Sequence, residues 1–310
     1  MVAAAIFDPG GRRLLIQRRH ARQQQGGLWE FPGGKLEPGE SREAALAREL
    51  DEELGIRPRR ARPLIRIHHD YPERRVLLDV WRVDEFAGEP RGREGQPIRW
   101  VERERLAEYR YPAANLAIVG AARLPDRLLV TPAPGGDRTA FLLALERSLA
   151  AGVELVQLRA PALSADDYAA LAGEALALVE AAGARLLLNA GEEMLQRVPA
   201  HGLHLSGRRL RACQRRPVGR DGLLSCACHG AGDLARAAEL GVDFALLGAL
   251  RETASHPGRA PLGWARFAEL VEAARLPVYA LGGMAVEDLP RVWAQGAQGI
   301  AAIRGLWPAQ

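Results

Sequence analysis

The chain reads as an α/β protein in two parts: an α/β/α sandwich over residues 1–124, then a (β/α)8 barrel over residues 125–310. Three observations predict this. Its 310 residues exceed one ordinary domain. In the first part, short apolar stretches separated by turns surround one acidic helix. From Leu124-Pro-Asp-Arg127 onward, apolar strand patterns alternate with alanine-rich helical ones through eight cycles, as in a parallel barrel. Hydrophobic residues make up 48% of the chain, enough for two cores. No apolar run is long enough to span a membrane, and no charged-then-apolar signal segment opens the chain, so a cytoplasmic protein with no membrane partner is expected. Three cysteines, an odd number, argue against a disulfide framework and for a reducing compartment. The net charge of +4 lies within residues 1–124, and no basic run is dense enough for duplex binding. A small polyanion, not a nucleic-acid polymer, is the expected partner.

The elements follow in order. Val2-Ala-Ala-Ala-Ile-Phe7 is a strand, Asp8-Pro-Gly-Gly11 a turn, and Arg13-Leu-Leu-Ile-Gln17 the returning strand of a hairpin. Gln23-Gln-Gln-Gly-Gly27 is a polar loop, and Trp29-Glu-Phe-Pro leads into a glycine-rich turn. Ser41 to Leu54 is predicted helical, with no internal proline and with Gly55 as its C-terminal stop. Leu46, Leu50 and Leu54 make its apolar stripe. Pro63–His69 and Val76–Val83 read as strands about a turn at Tyr71-Pro-Glu-Arg-Arg75, and Ile98–Val101 as another strand. Glu102–Tyr109 and Ala114–Ala122 are the last helical pieces.

The acidic helix carries the chemistry. Glu49, Glu52 and Glu53 stand at i, i+3 and i+4, so their carboxylates gather on one face. Their repulsion is turned to advantage by a divalent cation, and hard oxygen ligands suit Mg²⁺ or Mn²⁺. Arg48 lies beside them and can orient a glutamate without losing its proton. The loop Phe31-Pro-Gly-Gly-Lys-Leu-Glu-Pro-Gly-Glu40 can bring backbone close to a metal or phosphate. Most glutamate runs are merely solvated helix faces, but the full spacing here is specific. Gly34, five residues, Glu40, seven residues, Arg48-Glu49-Leu50, one residue, Glu52-Glu53, one residue, Gly55-Ile56 fits the Nudix box at every fixed position. The first part therefore resembles the Nudix hydrolases, most closely the MutT type.

The resemblance implies a site. The Gly33 carbonyl, Glu49, Glu52, Glu53 and Glu94 would hold the metals, Glu94 coming from the loop Gly-Glu-Pro-Arg-Gly-Arg-Glu94-Gly-Gln. Phe31 would line the base pocket, and Arg19 and Arg74 would contact the nucleotide. Asn115, in Pro112-Ala-Ala-Asn115, would read the six-position oxygen and ring nitrogen of an oxidised guanine, since an amide offers a donor and an acceptor in one plane. Taken alone, Asn115 also suits a helix cap after Pro112. The implied reaction is attack of water on the inner of the two outer phosphates of 8-oxo-dGTP, giving the monophosphate and pyrophosphate. Such pool cleaning protects DNA replication from oxidised guanine. Glu53 and Glu94 are both candidates for the base, with Glu49 and Arg48 supporting them.

In the second part, strands are expected at Arg127–Pro132, Leu155–Ala160, Arg185–Asn189, Gly202–Ser206, Leu223–Cys228, Phe244–Gly248, Val278–Gly282 and Gly299–Ile303. Helices such as Ala165–Ala182 and Ala231–Leu240 lie between them. Gln310 comes just past the eighth strand, so the usual closing helix has no room. The barrel is then either open there or covered by the first domain, against which the short linker should hold it. This part is similar to thiamine-phosphate synthase and its TenI-like relatives, through Gln157-Leu-Arg159, Gly202-Leu-His204-Leu205, Ala227-Cys-His229 and the phosphate cradle Leu281-Gly-Gly-Met284. That resemblance implies a thiamine-type phosphate ligand near Gln157, Arg159, Asn189, His204, Gly282 and Gly283. It also exposes departures. The motif's lysine is Pro161, its Asn-Asp-Arg reads Asn189-Ala190-Gly191, and a second aspartate falls in Ser206-Gly-Arg-Arg209. Without those carboxylates a diphosphate–Mg²⁺ substrate has little to hold it, so loss of synthase activity is expected. Cys226 and Cys228 with His204 and His229 suggest a metal site, but buried core cysteine is the commoner outcome.

Three functions remain open to the sequence: a nucleotide pyrophosphohydrolase beside a degenerate barrel, a hydrolase of thiamine-precursor diphosphates, and a hydrolase regulated by a non-catalytic binding barrel.

Overall fold

The computed structural model describes residues 1–20, 25–71, 74–219, 221–253 and 260–308, without the side chains of residues 68–76. The chain divides into two compact units, Met1–Leu124 and Pro125–Gln310.

The first unit holds β1 (Val2–Phe7), β2 (Arg13–Arg18), β3 (Trp29–Glu30), α1 (Arg42–Leu54), β4 (Arg57–Tyr71), β5 (Arg74–Ala87), β6 (Ile98–Glu102), a 3₁₀ turn (Arg103–Glu108) and α2 (Ala113–Ala122). Its sheet runs β3-β2-β1-β5-β4, with β6 also paired to β2. β1 is apolar at every position because it is covered on both faces. Ala3, Ala5 and Phe7 meet Ile118 and Val119 of α2 in one core, while Val2, Ala4 and Ile6 meet Leu46, Leu50 and Leu54 of α1 in the other. These are the layers of the expected sandwich. Ser41 caps α1 by accepting from the Ala44 N–H at 3.1 Å, and Gly55, at φ 71°, closes it with bonds to the Asp51 and Leu50 carbonyls.

β4 and β5 form one long antiparallel hairpin, well beyond the strands read at Pro63–His69 and Val76–Val83. The extra residues are charged and face outward, as in the Arg60–Glu85 pair. Register shifts near Pro58 and Pro63 break the alternation that marks a strand. The loop read at Gln23–Gly27 and the turn read at Tyr71–Arg75 fall partly outside the described residues.

The second unit is a closed barrel of parallel strands: β7 (Arg127–Val130), β8 (Leu155–Leu158), β9 (Arg185–Leu188), β10 (Gly202–Leu205), β11 (Leu223–Cys228), β12 (Phe244–Gly248), β13 (Val278–Leu281) and β14 (Gly299–Ala302). The intervening helices are α3 (Arg138–Ala150), α4 (Ala165–Ala181), α5 (Glu193–Arg197), α6 (Gly207–Ala212), α7 (Ala231–Glu239), α8 (Gly263–Ala273) and α9 (Leu289–Ala294). Neither expectation for the closing point holds. β14 pairs directly with β7, Ile300 opposite Arg127 and Ala302 opposite Leu129. Closure comes from backbone pairing and needs no eighth helix. Leu306 and Trp307 pack on the outer core instead, with Trp307 tilted over Phe141 of α3 at 5.1 Å. Along each strand one set of residues joins the helix-facing core, as Val156 and Leu158 do, and the alternate set, with Leu155 and Gln157, fills the barrel interior. Among the described residues no helix is long and apolar enough to cross a membrane.

Candidate functional site

The turn after β3 and the carboxylate face of α1 meet edge to edge. Gly33 sits at φ 142°, and a Cβ there would lie 2.3 Å from the Val2 carbonyl oxygen. Glycine is therefore required for the turn to lie flat on β1, where Val2 N–H donates to the Gly34 carbonyl at 2.9 Å and Ala4 N–H to the Pro32 carbonyl at 2.8 Å. A Cβ on Gly34 would lie 2.2–2.3 Å from the Glu49 carboxylate, so that carboxylate occupies the space a side chain would fill. Glu53 completes the contact. Its Oε2 accepts from the Gly33 N–H and from Gln17 Nε2, both at 3.0 Å. Burial pushes its carboxyl up to about 7, with the charges of Glu30 and Glu49 pushing the same way against those two hydrogen bonds.

Arg48 organises the outer side. Its guanidinium donates to Glu40 at 3.0 and 3.1 Å, to Glu49 and Glu52 at 3.1 Å each, and to the Lys35 carbonyl at 2.9 Å. These bonds hold its own proton more firmly than usual and pull the Glu40 carboxyl below its ordinary range. The loop carrying Glu94 is pinned to the end of α1. Arg93 N–H and Gln96 Nε2 both donate to the Glu53 carbonyl, at 2.9 and 3.1 Å, and Glu94 N–H donates to Gln96 Oε1 at 2.9 Å. The Glu94 side chain itself is exposed.

On the other side of the turn, Phe31 N–H donates to Asn115 Oδ1 at 3.1 Å. Asn115 is not the cap of α2; Pro112 holds that position, and the amide reaches back to the turn instead. Phe31 is buried and stacks on Tyr111, ring centres 5.8 Å apart. Arg19 pairs with Glu30, whose carboxyl burial pushes up despite that partner. The Arg74 side chain lies outside the described residues.

Glu49, Glu53 and the Gly33–Gly34 turn are thus brought together, with Glu52 joined through Arg48 and Glu94 through backbone. Gln17, Glu30, Glu40 and Gln96 were not singled out as site residues from the sequence. The available signal was a polar residue in a core position: Gln17 closes an apolar strand and is 3% exposed. The donor set fits a hard cation such as Mg²⁺ or Mn²⁺. It offers carboxylate oxygens and one buried carboxyl that resists ionising without a neighbouring positive charge. Among the described residues no three acidic, histidine or cysteine side chains form a closed metal cage. Mg²⁺ needs none, since it is commonly held by one or two carboxylates, waters and substrate phosphates.

In the barrel, Gln157 is 2% exposed and its Oε1 has no partner. His204 is buried in the interior, its Nδ1 2.9 Å from Ser225 Oγ, and burial drives its pKa down to about 3. Arg159 is half-buried at the end of β8. Asn189 Oδ1 accepts from Arg209 at 3.4 Å. Gly282 and Gly283 sit at φ 106° and 68° after β13, and a Cβ on Gly282 would lie 2.8 Å from Ala249. Cys226 and Cys228 lie 3.5 Å apart in the helix-facing core, while His229 Nδ1 bonds the Gly248 carbonyl at 2.7 Å. The thiols and imidazoles face different layers, and the cysteines are core residues.

A model of the NUDIX domain matches residues 2–121, and one of the thiamine monophosphate synthase family matches residues 128–306. Over 118 residues the chain is 36% identical to an 8-oxo-dGTP diphosphatase of Escherichia coli (strain K12), covering 38% of this chain and 92% of that protein. It is 38% identical over 120 residues to a CTP pyrophosphohydrolase of the same organism, covering 39% and 88%. Over 183 residues it is 35% identical to a thiamine-phosphate synthase of Thermus thermophilus, covering 59% and 88%.

Proposed function

The chain belongs to the Nudix hydrolases through its first unit and to the thiamine monophosphate synthase family through its second, and from that premise we propose that the first unit is a Mg²⁺-dependent 8-oxo-dGTP pyrophosphohydrolase. It converts 8-oxo-dGTP and water to 8-oxo-dGMP and pyrophosphate and so keeps oxidised guanine out of replicating DNA. One observation carries the reading. A single turn, Phe31 to Gly34, bonds Glu53 through the Gly33 N–H and Asn115 through the Phe31 N–H, at 3.0 and 3.1 Å. The carboxylates that would act on the phosphates and the amide that would read the base are therefore fixed to the same short piece of backbone.

Phosphoryl transfer asks for positioning and charge neutralisation more than covalent help. The Gly33 carbonyl, Glu49, Glu52, Glu53 and Glu94 would hold the metal, which supplies neutralisation of the phosphates and acidification of water. Glu53, at about 7, is matched to take a proton near neutral pH, and Gln17 and the Gly33 N–H hold its orientation. Its burial favours it over the exposed Glu94 as the base. Arg48 keeps Glu49 and Glu52 in place. Asn115 accepts from the turn through Oδ1, so its NH₂ is left to donate to the six-position oxygen of an oxopurine.

Steady-state hydrolysis with Mg²⁺ tests this, using 8-oxo-dGTP, dGTP, CTP and hydroxymethylpyrimidine diphosphate. The expected result is preference for the oxidised nucleotide, with turnover lost in Glu53→Gln. Preference for CTP would move the substrate to pyrimidine nucleotides. Preference for the pyrimidine diphosphate would move the protein into thiamine metabolism.

A further inference from the structure

The barrel mouth does not suit the metal–diphosphate chemistry of its family, and the residues present define what replaces it. Ala190 stands where the related synthases carry a metal-binding aspartate, and it is buried. The acidic groups nearby are committed elsewhere. Asp288 pairs with Arg251 at 2.5 and 2.9 Å, and Asp233 accepts from Arg211 and the His229 N–H at 3.0 Å each. Arg209, at the position of the second missing aspartate, instead donates to Asn189 Oδ1 at 3.4 Å. That bond uses the acceptor of the amide and leaves its NH₂ as a donor. A lining that would have presented carboxylates to a cation now presents N–H donors and positive charge.

Two further observations point to a ligand. Among the described residues neither Arg209 nor Arg159 makes an ion pair, although both lie at the strand ends that form the mouth. The charge of Arg209 is felt across it, reinforcing the effect of burial on His204. Within the interior, Gln157 is 2% exposed with its Oε1 unpartnered. A buried amide oxygen left without a donor costs about 1–3 kcal/mol, which a ligand O–H or N–H would recover. An anion with a donor of its own, such as a hydrogen phosphate group or a phosphomonoester, satisfies both demands.

We propose that the barrel mouth binds a phosphomonoester-type anion directly, without a metal ion, through Arg209, Asn189 and Arg159 over the Gly282–Gly283 backbone, with Gln157 beneath it. Guanidinium–phosphate bonds are charge-assisted and need no bridging cation. The barrel is then a binding module and not a synthase.

The test is calorimetric titration of the full chain with inorganic phosphate in excess EDTA, which leaves no Mg²⁺ for the hydrolase site. Saturable binding is expected, weakened at least tenfold in Arg209→Glu and in the milder Arg209→Gln. Arg138→Glu, on an outer helix, should retain it. Ala190→Asp should weaken binding in EDTA and recover it when Mg²⁺ is added. The proposal is overturned by absence of saturable binding in EDTA, by wild-type binding that requires Mg²⁺, or by binding unchanged in both correctly folded Arg209 variants. Because the hydrolase reading is judged by Glu53→Gln turnover, either can fail without the other.

Discussion

Alanine placed at Gly33 and at Gly34 should separate the scaffold of the hydrolase site from its chemistry. At Gly33 the new Cβ would meet backbone, 2.3 Å from the Val2 carbonyl oxygen and 2.7 Å from Ala3 Cα, at a φ of 142° that L-residues rarely adopt. The strain amounts to about 1–3 kcal/mol, and displacing the turn endangers two buried backbone hydrogen bonds at about 1 kcal/mol each, so Gly33→Ala should cost about 3–5 kcal/mol. At Gly34 the new Cβ would meet only the end of the Glu49 side chain, at 2.2–2.3 Å. That chain can rotate away, so Gly34→Ala should change stability by less than about 1 kcal/mol. Glu49 then leaves Arg48 and the phosphate side, and kcat should fall on the order of 10²-fold, as when a preorganised charge-stabilising group is lost. Differential scanning calorimetry and steady-state hydrolysis of 8-oxo-dGTP read the two effects separately. Equal destabilisation by both substitutions, or full turnover in a folded Gly34→Ala protein, would refute the reasoning.

Arg48→Ala should raise the Mg²⁺ concentration needed for half-maximal activity by about 10–100-fold, because three glutamates lose their common anchor; Arg48→Lys should recover only part, since an ammonium cannot span them, and an unchanged Mg²⁺ titration would exclude the role. Asn115→Asp keeps the acceptor for the Phe31 N–H but removes the amide donor, so preference for 8-oxo-dGTP over dGTP should fall by about tenfold with little change in melting temperature; Asn115→Ala should lose both. His204 supplies a pH dependence. Burial holds it near 3 in the folded barrel against an ordinary 6.5, so its contribution to stability is present above pH 6.5 and lost as the pH falls toward 3. At pH 5 the loss is about 2 kcal/mol relative to pH 8. Urea unfolding at the two pH values should show that difference in the wild type and a smaller one in His204→Gln; equal slopes would count against it.

What the sequence determined by itself is whatever depends on spacing along one element or one turn. The i, i+3, i+4 glutamates of α1, its Ser41 and Gly55 ends, the all-apolar β1 and the eight strand–helix cycles are local patterns with direct physical meaning, and Gly33 and Gly34 announce a turn. Tertiary structure decided what depends on residues far apart in the chain. Glu53 is pushed up because β2 and β3 bring Gln17 and Glu30 beside it, and neither residue carries a motif. Asn115 serves the turn and not its own helix because α2 lies over Phe31. The hairpin of β4 and β5 ran past its predicted ends because cross-strand pairing sustains a charged edge that periodicity alone would end. The barrel closed without an eighth helix because hydrogen bonds between first and last strands close it. At the barrel mouth the missing aspartates were legible as substitutions, but Arg209 reaching Asn189 was not, since that contact depends on where two separate strand ends lie in the closed ring.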